Sequence, residues 1–238
     1  MVVFKMMLAA SLKDKITLFY SLLLPLGLLA GLGLYFDDPA YAPRLLTGVI
    51  VLSAMFWCVS GIAFQVHWQR SRGVFMLLKL TPYPMLGFVA QMTAARSFLG
   101  ILINLFVLAV GVLLFNIEVS AGGIFYMVCF MAAGALCFAS LGYLISNFAG
   151  NEGQINLISN LLFIPMVFGS EAFYSLEHAP VWVVKVGEVL PLSHFVEGLH
   201  SAQGLSGEFL VLPFMILLLY TLLLLIAAAL TFKHDTAG

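Results

Sequence analysis

The sequence predicts an all-α integral membrane protein with six transmembrane helices. Six long apolar stretches are separated by short polar breaks, 63% of the residues are hydrophobic and 9% are charged, and the mean hydropathy is +1.10. Soluble domains carry roughly 25% charged residues, so a soluble fold is excluded. A hydrocarbon core of about 30 Å needs about 20 apolar residues in a helix, and unbroken apolar runs indicate helices because barrel strands alternate.

The N-terminal part is predicted to contain a surface helix and two spans. Residues 1–15 form an amphipathic segment with three lysines, which we expect to lie on the membrane surface as an N-terminal interfacial helix. The first span is predicted at about 16–36, where two aspartates and a proline end it, and the second at about 45–66. The basic segment 67–84 has apolar residues at helical spacing and predicts a short cytoplasmic helix between spans 2 and 3.

The remaining chain is predicted to add four spans to the same single domain, 1–238. Three of these spans are expected at about 94–115, 123–146 and 209–232. The fifth span starts near residue 154 and is interrupted around 165–170, so we expect it to be shorter. Residues 171–206 mix aromatic with charged side chains and predict external amphipathic or re-entrant helices between spans 5 and 6.

The distribution of lysine and arginine predicts the orientation. Eight of the 10 fall on one side of the predicted spans: Lys5, Lys13, Lys15, Arg70, Arg72, Lys79, Arg96 and Lys233. Of these, Arg96 is placed at the rim of the third span. Arg44 and Lys185 fall on the other side. Because positive charge is retained in the cytoplasm, we expect a multi-pass protein of the cell inner (plasma) membrane with both termini cytoplasmic.

The sequence lacks the residue patterns that several functions require. It contains no Gly-x-x-x-x-Gly-Lys-Ser/Thr loop, so ATP hydrolysis is expected on a partner chain and no cofactor is expected in this one. No opposite charges are paired within the predicted spans, which argues against an ion-coupled transporter. The charge pattern does not favour nucleic acid binding, and the three cysteines lie in apolar runs as packing residues.

A group of ionisable residues precedes the sixth span. His194, Glu197 and His200 recur at steps of three residues. The spacing is not His-Glu-x-x-His, and it spreads these side chains around a helix, so polar anchoring at the interface is favoured over a metal site. We predict neither a metal ligand nor a catalytic residue here.

Uncharged polar residues in the second and fifth spans are candidates for a substrate path. They are Ser60, Gln154, Asn156 and Asn160. Polar groups inside spans either face a polar translocation surface or bond to neighbouring helices, and the sequence leaves both interpretations open.

The basic segment after the second span is the strongest functional candidate. A short amphipathic helix held between two spans can transmit movement from a soluble partner, and the alternative is a solvated, positively charged loop. The residues predicted to couple this chain to an ATPase are Arg70, Arg72, Gly73, Phe75, Leu78 and Lys79.

The order of these features resembles the ABC-2 family of ABC exporter permeases. The matching parts are the run Arg70 to Pro82 after the second span, the polar start of the fifth span, and the run Leu190 to Leu199 before the sixth. Gln69 stands where family members often have an acidic residue, and His200 lies where the second motif usually ends in arginine.

The resemblance implies a half-transporter. Two six-span permease subunits, identical or related, would face each other in the lipid bilayer, and cytoplasmic ABC ATPase subunits carrying ATP and Mg²⁺ would dock under the coupling helices. The apolar interior expected for the spans suits a drug, an antibiotic or a lipid as the transported substrate. The alternatives are an ATP-independent carrier or channel, a permease-like sensor, and a membrane-embedded enzyme.

Overall fold

The computed structural model describes residues 2–13, 15–36, 38, 40–82, 85–176, 179–204 and 211–231. All regular structure in these ranges is helical, so the predicted all-α class is confirmed for the described residues. The helices are α1 (Val2–Lys13), α2 (Lys15–Phe36), α3 (Ala42–Met55), α4 (Gly61–Ser71), α5 (Val74–Lys79), α6 (Met85–Phe115), α7 (Ala121–Phe148), α8 (Glu152–Phe168), α9 (Val181–Val189), α10 (Pro191–Ala202) and α11 (Val211–Leu230). A π-helical turn, Phe56–Ser60, joins α3 to α4.

Five helices are long and apolar enough to cross a membrane. They are Leu18–Phe36, Ala42–Ser71, Gly87–Phe115, Ala121–Phe148 and Val211–Leu230. These helices correspond to the predicted first, second, third, fourth and sixth spans, whereas a sixth membrane-spanning helix stays a prediction.

Two of these helices extend beyond the predicted spans. The α3–α4 helix continues to Ser71 instead of ending near residue 66, and α6 begins at Met85 instead of near residue 94. Polar residues end a hydrophobic stretch, but His, Trp, Gln and Arg have helix propensities close to those of many apolar residues, so the helix itself continues. Both helices therefore extend beyond the predicted apolar stretches at the ends that flank α5.

Helix α8 lies where the fifth span was predicted and is short. It has 17 residues, which corresponds to about 26 Å of rise and is less than the roughly 30 Å of a hydrocarbon core. It runs antiparallel to the α3–α4 helix, because Glu152 bonds to Trp68 while the Phe163 ring contacts Phe56. Because Phe163 is level with Phe56, the end of α8 at Phe168 lies roughly 13 Å short of Ala42, measured along the helix axis.

The segment after α8 folds back into the bundle as the helix pair α9 and α10. The Tyr220 hydroxyl in the middle of α11 donates to the carbonyl of Val189, which places the α9–α10 turn halfway along α11. From there α10 runs along α7, and a Cβ on Gly123 at the start of α7 would meet the carbonyl oxygen of Ala202. The external amphipathic or re-entrant placement of this segment stays a prediction; residues 177, 178, 205 and 206 of the predicted segment lie outside the described residues.

Helix α7 lies at the centre of the bundle and packs against α4, α6, α10 and α11. Its contact with α10 is close because Gly198 has no side chain: a Cβ there would lie 2.1 Å from the Phe130 ring. The Phe195 ring packs edge-on against Phe138, with ring centroids 5.7 Å apart. On the opposite side, α1 packs on α6, where the Phe4 backbone N–H donates to Gln91 Oε1 at 3.2 Å.

Candidate functional site

The predicted cytoplasmic helix 67–84 is divided into two parts in the structure. Residues 67–71 are the end of the α3–α4 helix, and α5 starts only at Val74. Gly73 separates the two helices with φ 69°, a left-handed conformation that glycine adopts without the steric penalty of a Cβ. Residues 83 and 84 lie outside the described residues.

Arg70 was predicted to couple to an ATPase, but its side chain is inside the protein. It is 5% exposed, and its guanidinium donates to Ser146 O and to Asn147 Oδ1, both at 2.8 Å. The Asn147 amide in turn donates to Ala228 O at 2.8 Å. Ser146 belongs to the last turn of α7, where carbonyl groups lack helical partners and favour a cation. Arg70 therefore joins α4, α7 and α11, and its coupling to an ATPase stays a prediction.

Phe75 is also turned inwards, because its ring is 1% exposed and packs edge-on against Phe88 with centroids 6.2 Å apart. Leu78 is half-buried on the same side, whereas Arg72 is exposed. Nothing is described for the Lys79 side chain. The surface that α5 presents to the outside consists of residues the prediction missed: Met76, Leu77 and Leu80.

Spacing along α5 could have revealed this surface. Phe75 and Leu78 are three residues apart and share the buried side, so Leu77 and Leu80, also three residues apart, share the opposite one. Leu77 is 64% exposed and Leu80 is 85% exposed. An exposed apolar surface of this kind is typical of a contact with a protein or a membrane.

The predicted substrate-path residues fall into two groups. Gln154 closes the loop before α8, because its Oε1 accepts from the Gly150 N–H at 2.7 Å and its own N–H donates to the Asn151 side chain at 2.9 Å. Asn156 and Asn160 are exposed on the surface of α8. Ser60 belongs to the π-helical turn and lines a groove that the sequence did not predict.

This groove lies between α2 and the α3–α4 helix and has a volume of about 740 Å³. Its lining comes from five helices, including Tyr20 and Leu24 of α2, Ser60 of the π-helical turn, Arg96 of α6 and Glu152 of α8. The volume falls within the roughly 300–1,000 Å³ of typical ligand sites. The groove therefore qualifies as a candidate binding site.

Arg96 lies farther from the start of its helix than the sequence predicted. We expected it at the cytoplasmic rim of the third span, but α6 begins at Met85, about 16 Å before Arg96 along the axis. Its guanidinium lies 4.1 Å from the centre of the Trp57 ring, and its Nε donates to Trp57 O at 3.4 Å. Trp57 Nε1 donates to Arg96 O at 3.0 Å, so the two residues fix each other.

Two local features of the α3–α4 helix make room for this arginine. Gly61 leaves space, because a Cβ there would lie 2.1 Å from Arg96 Nη2. Trp57 belongs to the π-helical turn, and such turns are frequently found at functional sites. Gly61 and Arg96 belong to the candidate membrane spans Ala42–Ser71 and Gly87–Phe115, so the guanidinium lies where these two helices face each other.

The end of the groove near Trp68 carries a negative charge. Glu152, in the first turn of α8, accepts a hydrogen bond from Trp68 Nε1 at 2.6 Å. Because Trp68 is seven residues beyond Gly61, this carboxylate and the Arg96 guanidinium are separated by roughly 10 Å along the helix axis. The lining of the groove thus includes a carboxylate and a guanidinium that are separated along the helix axis.

The ionisable residues of α10 do not contribute to the groove. His194 Nδ1 and Glu197 Oε2 are 3.4 Å apart, whereas His200 is 6% exposed and packs in the interior. Burial, followed by the positive charge of Arg44, lowers the pKa of His200 to about 4. Among the described residues, no cluster of three or more His, Cys, Asp or Glu side chains could hold a metal ion.

These observations define a multi-pass membrane protein with a groove inside its helical bundle. The chain belongs to the ABC-2 type transporter family, whose sequence model matches residues 1–204. It is also similar to the protein named "Putative transport permease YvfS" of Bacillus subtilis (strain 168), with 25% identity over 162 residues. That match covers 68% of this chain and 66% of the relative, just under two thirds of its length. The expected family is confirmed.

Proposed function

We propose that this chain is the permease subunit of an ATP-driven ABC exporter in the inner membrane. It moves a hydrophobic or amphiphilic substrate by alternating access, while a separate cytoplasmic ABC ATPase subunit binds ATP and Mg²⁺. Family membership supports a transport permease. The observation that carries the coupling proposal is the exposed side of α5, which directly follows the helix that lines the groove.

The α3–α4 helix supplies the mechanical connection between the two sites. Arg70 fixes its cytoplasmic end to α7 and α11, and Gly73 connects that end to α5. An ATPase that binds α5 differently in its ATP-bound and free states would shift the permease between conformations, since only a difference in affinity moves such an equilibrium. The groove changes its access when the α3–α4 helix moves relative to α2 and α8.

A second permease subunit, identical or related, completes the proposed transporter. The surface of α8 exposes two amides, Asn156 and Asn160, next to Leu157 and Leu161. Amide groups are costly against lipid tails and bond to protein or water instead. We assign this surface to the substrate path between two subunits, with both termini of each chain in the cytoplasm.

The test is the purification of the tagged chain in mild detergent, with identification of co-purifying proteins and an ATPase assay. The variant Leu77→Glu/Leu80→Glu changes exposed side chains of α5 and should lose the ATPase subunit. Val181→Glu/Trp182→Glu is the matched control, because both residues are 70% exposed on α9, away from α5. Wild-type chain without an ATPase, or equal ATPase recovery with both variants, would contradict the coupling proposal.

A further inference from the structure

The lining of the groove is rich in aromatic rings. Five of its residues are aromatic: Tyr20, Phe56, Trp57, Phe64 and Trp68. Phe64 and Trp68 are four residues apart on α4 and so share one side of that helix, where their ring centroids are 6.2 Å apart. About half of Trp68 is exposed, and Tyr20 of α2 is exposed as well. These ring surfaces are therefore open to a ligand in the groove.

Glu152 places a negative charge beside these rings. Its Oε1 accepts from Trp68 Nε1 at 2.6 Å, and a carboxylate has further acceptor sites besides the one in use. The Glu152 side chain is exposed, and no cationic side chain of the described residues forms an ion pair with it. The Arg96 guanidinium is roughly 10 Å away along the helix axis, so it does not neutralise this end of the groove.

This combination of groups favours a positively charged ligand. The face of an aromatic ring attracts a cation within about 6 Å, and tryptophan does so most strongly. Glu152 lies at the edge of the Trp68 ring, so a cation over the ring face is also close to the carboxylate and gains its Coulomb attraction. The lining continues with apolar side chains, including Leu24, Pro25 and Phe56, which suit a hydrocarbon.

Building on the proposed function, we infer that the groove binds amphiphilic cations, whose ammonium group is held by Glu152 and the rings of Trp68 and Phe64. The hydrocarbon part lies along Leu24 and Phe56. The volume of about 740 Å³ is sufficient for a drug-sized compound. The charge of the substrate, which the proposed function leaves open, is thereby positive, and Glu152 and Trp68 determine it.

Tryptophan fluorescence provides a direct probe of this site. In chain carrying Trp182→Phe, the two remaining tryptophans, Trp57 and Trp68, both line the groove, and brominated alkyl chains quench their fluorescence on contact. The protein would be kept in dodecyl maltoside micelles, which contain no ammonium group. It would be titrated with 9,10-dibromooctadecyltrimethylammonium, the corresponding alcohol and 9,10-dibromostearate. We expect the cation to bind at least tenfold more tightly than the alcohol or the carboxylate.

Three variants in this background test the assigned residues. Glu152→Gln keeps an oxygen that accepts from Trp68, and it should weaken cation binding at least tenfold while alcohol binding is unchanged. Glu188→Gln is the matched control, because it removes an exposed carboxylate of α9 that does not line the groove, and it should alter neither ligand. Trp68→Leu, with Trp57 as the reporter, should weaken cation binding at least threefold more than alcohol binding.

Three results would overturn the inference. They are equal binding of cation and alcohol before Glu152 is changed, unchanged cation binding in Glu152→Gln, and equal losses in Glu152→Gln and Glu188→Gln. If Glu152→Gln fails to fold, Trp68→Leu decides, and equal losses of cation and alcohol in that variant would overturn the inference.

A further arm identifies the source of the ammonium group. Phosphatidylethanolamine added to the micelles should displace the brominated cation if the natural occupant is a lipid head group, and should not if it is a single amphiphilic amine. Both results retain the cationic class. ATPase recovery is scored on the same preparation: cation binding without an ATPase contradicts the proposed function alone, whereas an ATPase without cation preference contradicts this inference alone.

Discussion

Replacement of Arg70 separates an internal structural role from a docking role. The side chain makes two charge-assisted hydrogen bonds, to Ser146 O and Asn147 Oδ1, and each such bond contributes about 1.5–3 kcal/mol. Water at these helix ends can replace part of this stabilisation, so we expect Arg70→Gln to lower the free energy of unfolding by about 2–4 kcal/mol. Arg70→Lys should lose about half as much, because an ammonium cannot satisfy both acceptors with the same fork.

The matched control is Arg72, two residues further along. Arg72 is exposed, so Arg72→Gln should change stability by less than about 0.5 kcal/mol. The measurement is the midpoint of thermal unfolding in identical nanodiscs, where we expect a decrease of roughly 5–12 °C for Arg70→Gln alone. If Arg70→Gln lost the ATPase while keeping the wild-type midpoint, Arg70 would be a docking residue and the reasoning from its burial would be refuted.

Three further predictions concern the backbone and the buried histidine. Gly73→Ala should lower the free energy of unfolding by about 1 kcal/mol and weaken ATPase recovery, since the left-handed φ of 69° disfavours a Cβ; an unchanged unfolding midpoint would argue against this. Gly198→Ala should lower the midpoint by the equivalent of about 1–3 kcal/mol because the Phe130 ring must move, and Phe130→Leu should relieve part of that loss. Because the pKa of His200 is lowered to about 4, stability should be full above about pH 6.5 and fall by up to about 3 kcal/mol as the pH drops towards 4. His200→Gln should flatten this pH profile of the unfolding midpoint, and an unaltered profile would contradict the assignment.

The sequence was sufficient for the helical class and for the approximate place of five spans, because hydropathy reports directly on lipid-facing helices. It was not sufficient for side-chain direction at the cytoplasmic end. Arg70 and Arg72 are equally charged and close in sequence, yet one bonds to α7 and the other is exposed. The difference depends on the position of Ser146 and Asn147, which lie more than 70 residues away along the chain.

The groove could not be predicted from local sequence patterns, because it depends on how distant helices pack. Arg96 was placed at the rim of the third span because charge usually ends a span, and the hydropathy pattern does not show that α6 begins at Met85. Trp57 and Gly61 accommodate the arginine only because the helices pack in one register, with Gly100 of α6 opposite Trp57. The π-helical turn likewise has no strong sequence signal.

The position of Arg70 also determines which helices move together in the proposed transport cycle. Through Arg70 and Asn147, α4 is bonded to both α7 and α11, so a force applied at α5 displaces these three helices as one body. The α3–α4 helix contacts α8 differently, through the exposed hydrogen bond of Trp68 to Glu152 and the ring contact of Phe56, in the π-helical turn, with Phe163. An exposed hydrogen bond can exchange with water at little cost. The groove is therefore expected to change shape along its borders with α2 and α8. Arg96 of α6, which is bonded to Trp57, is expected to stay in contact with the α3–α4 helix throughout.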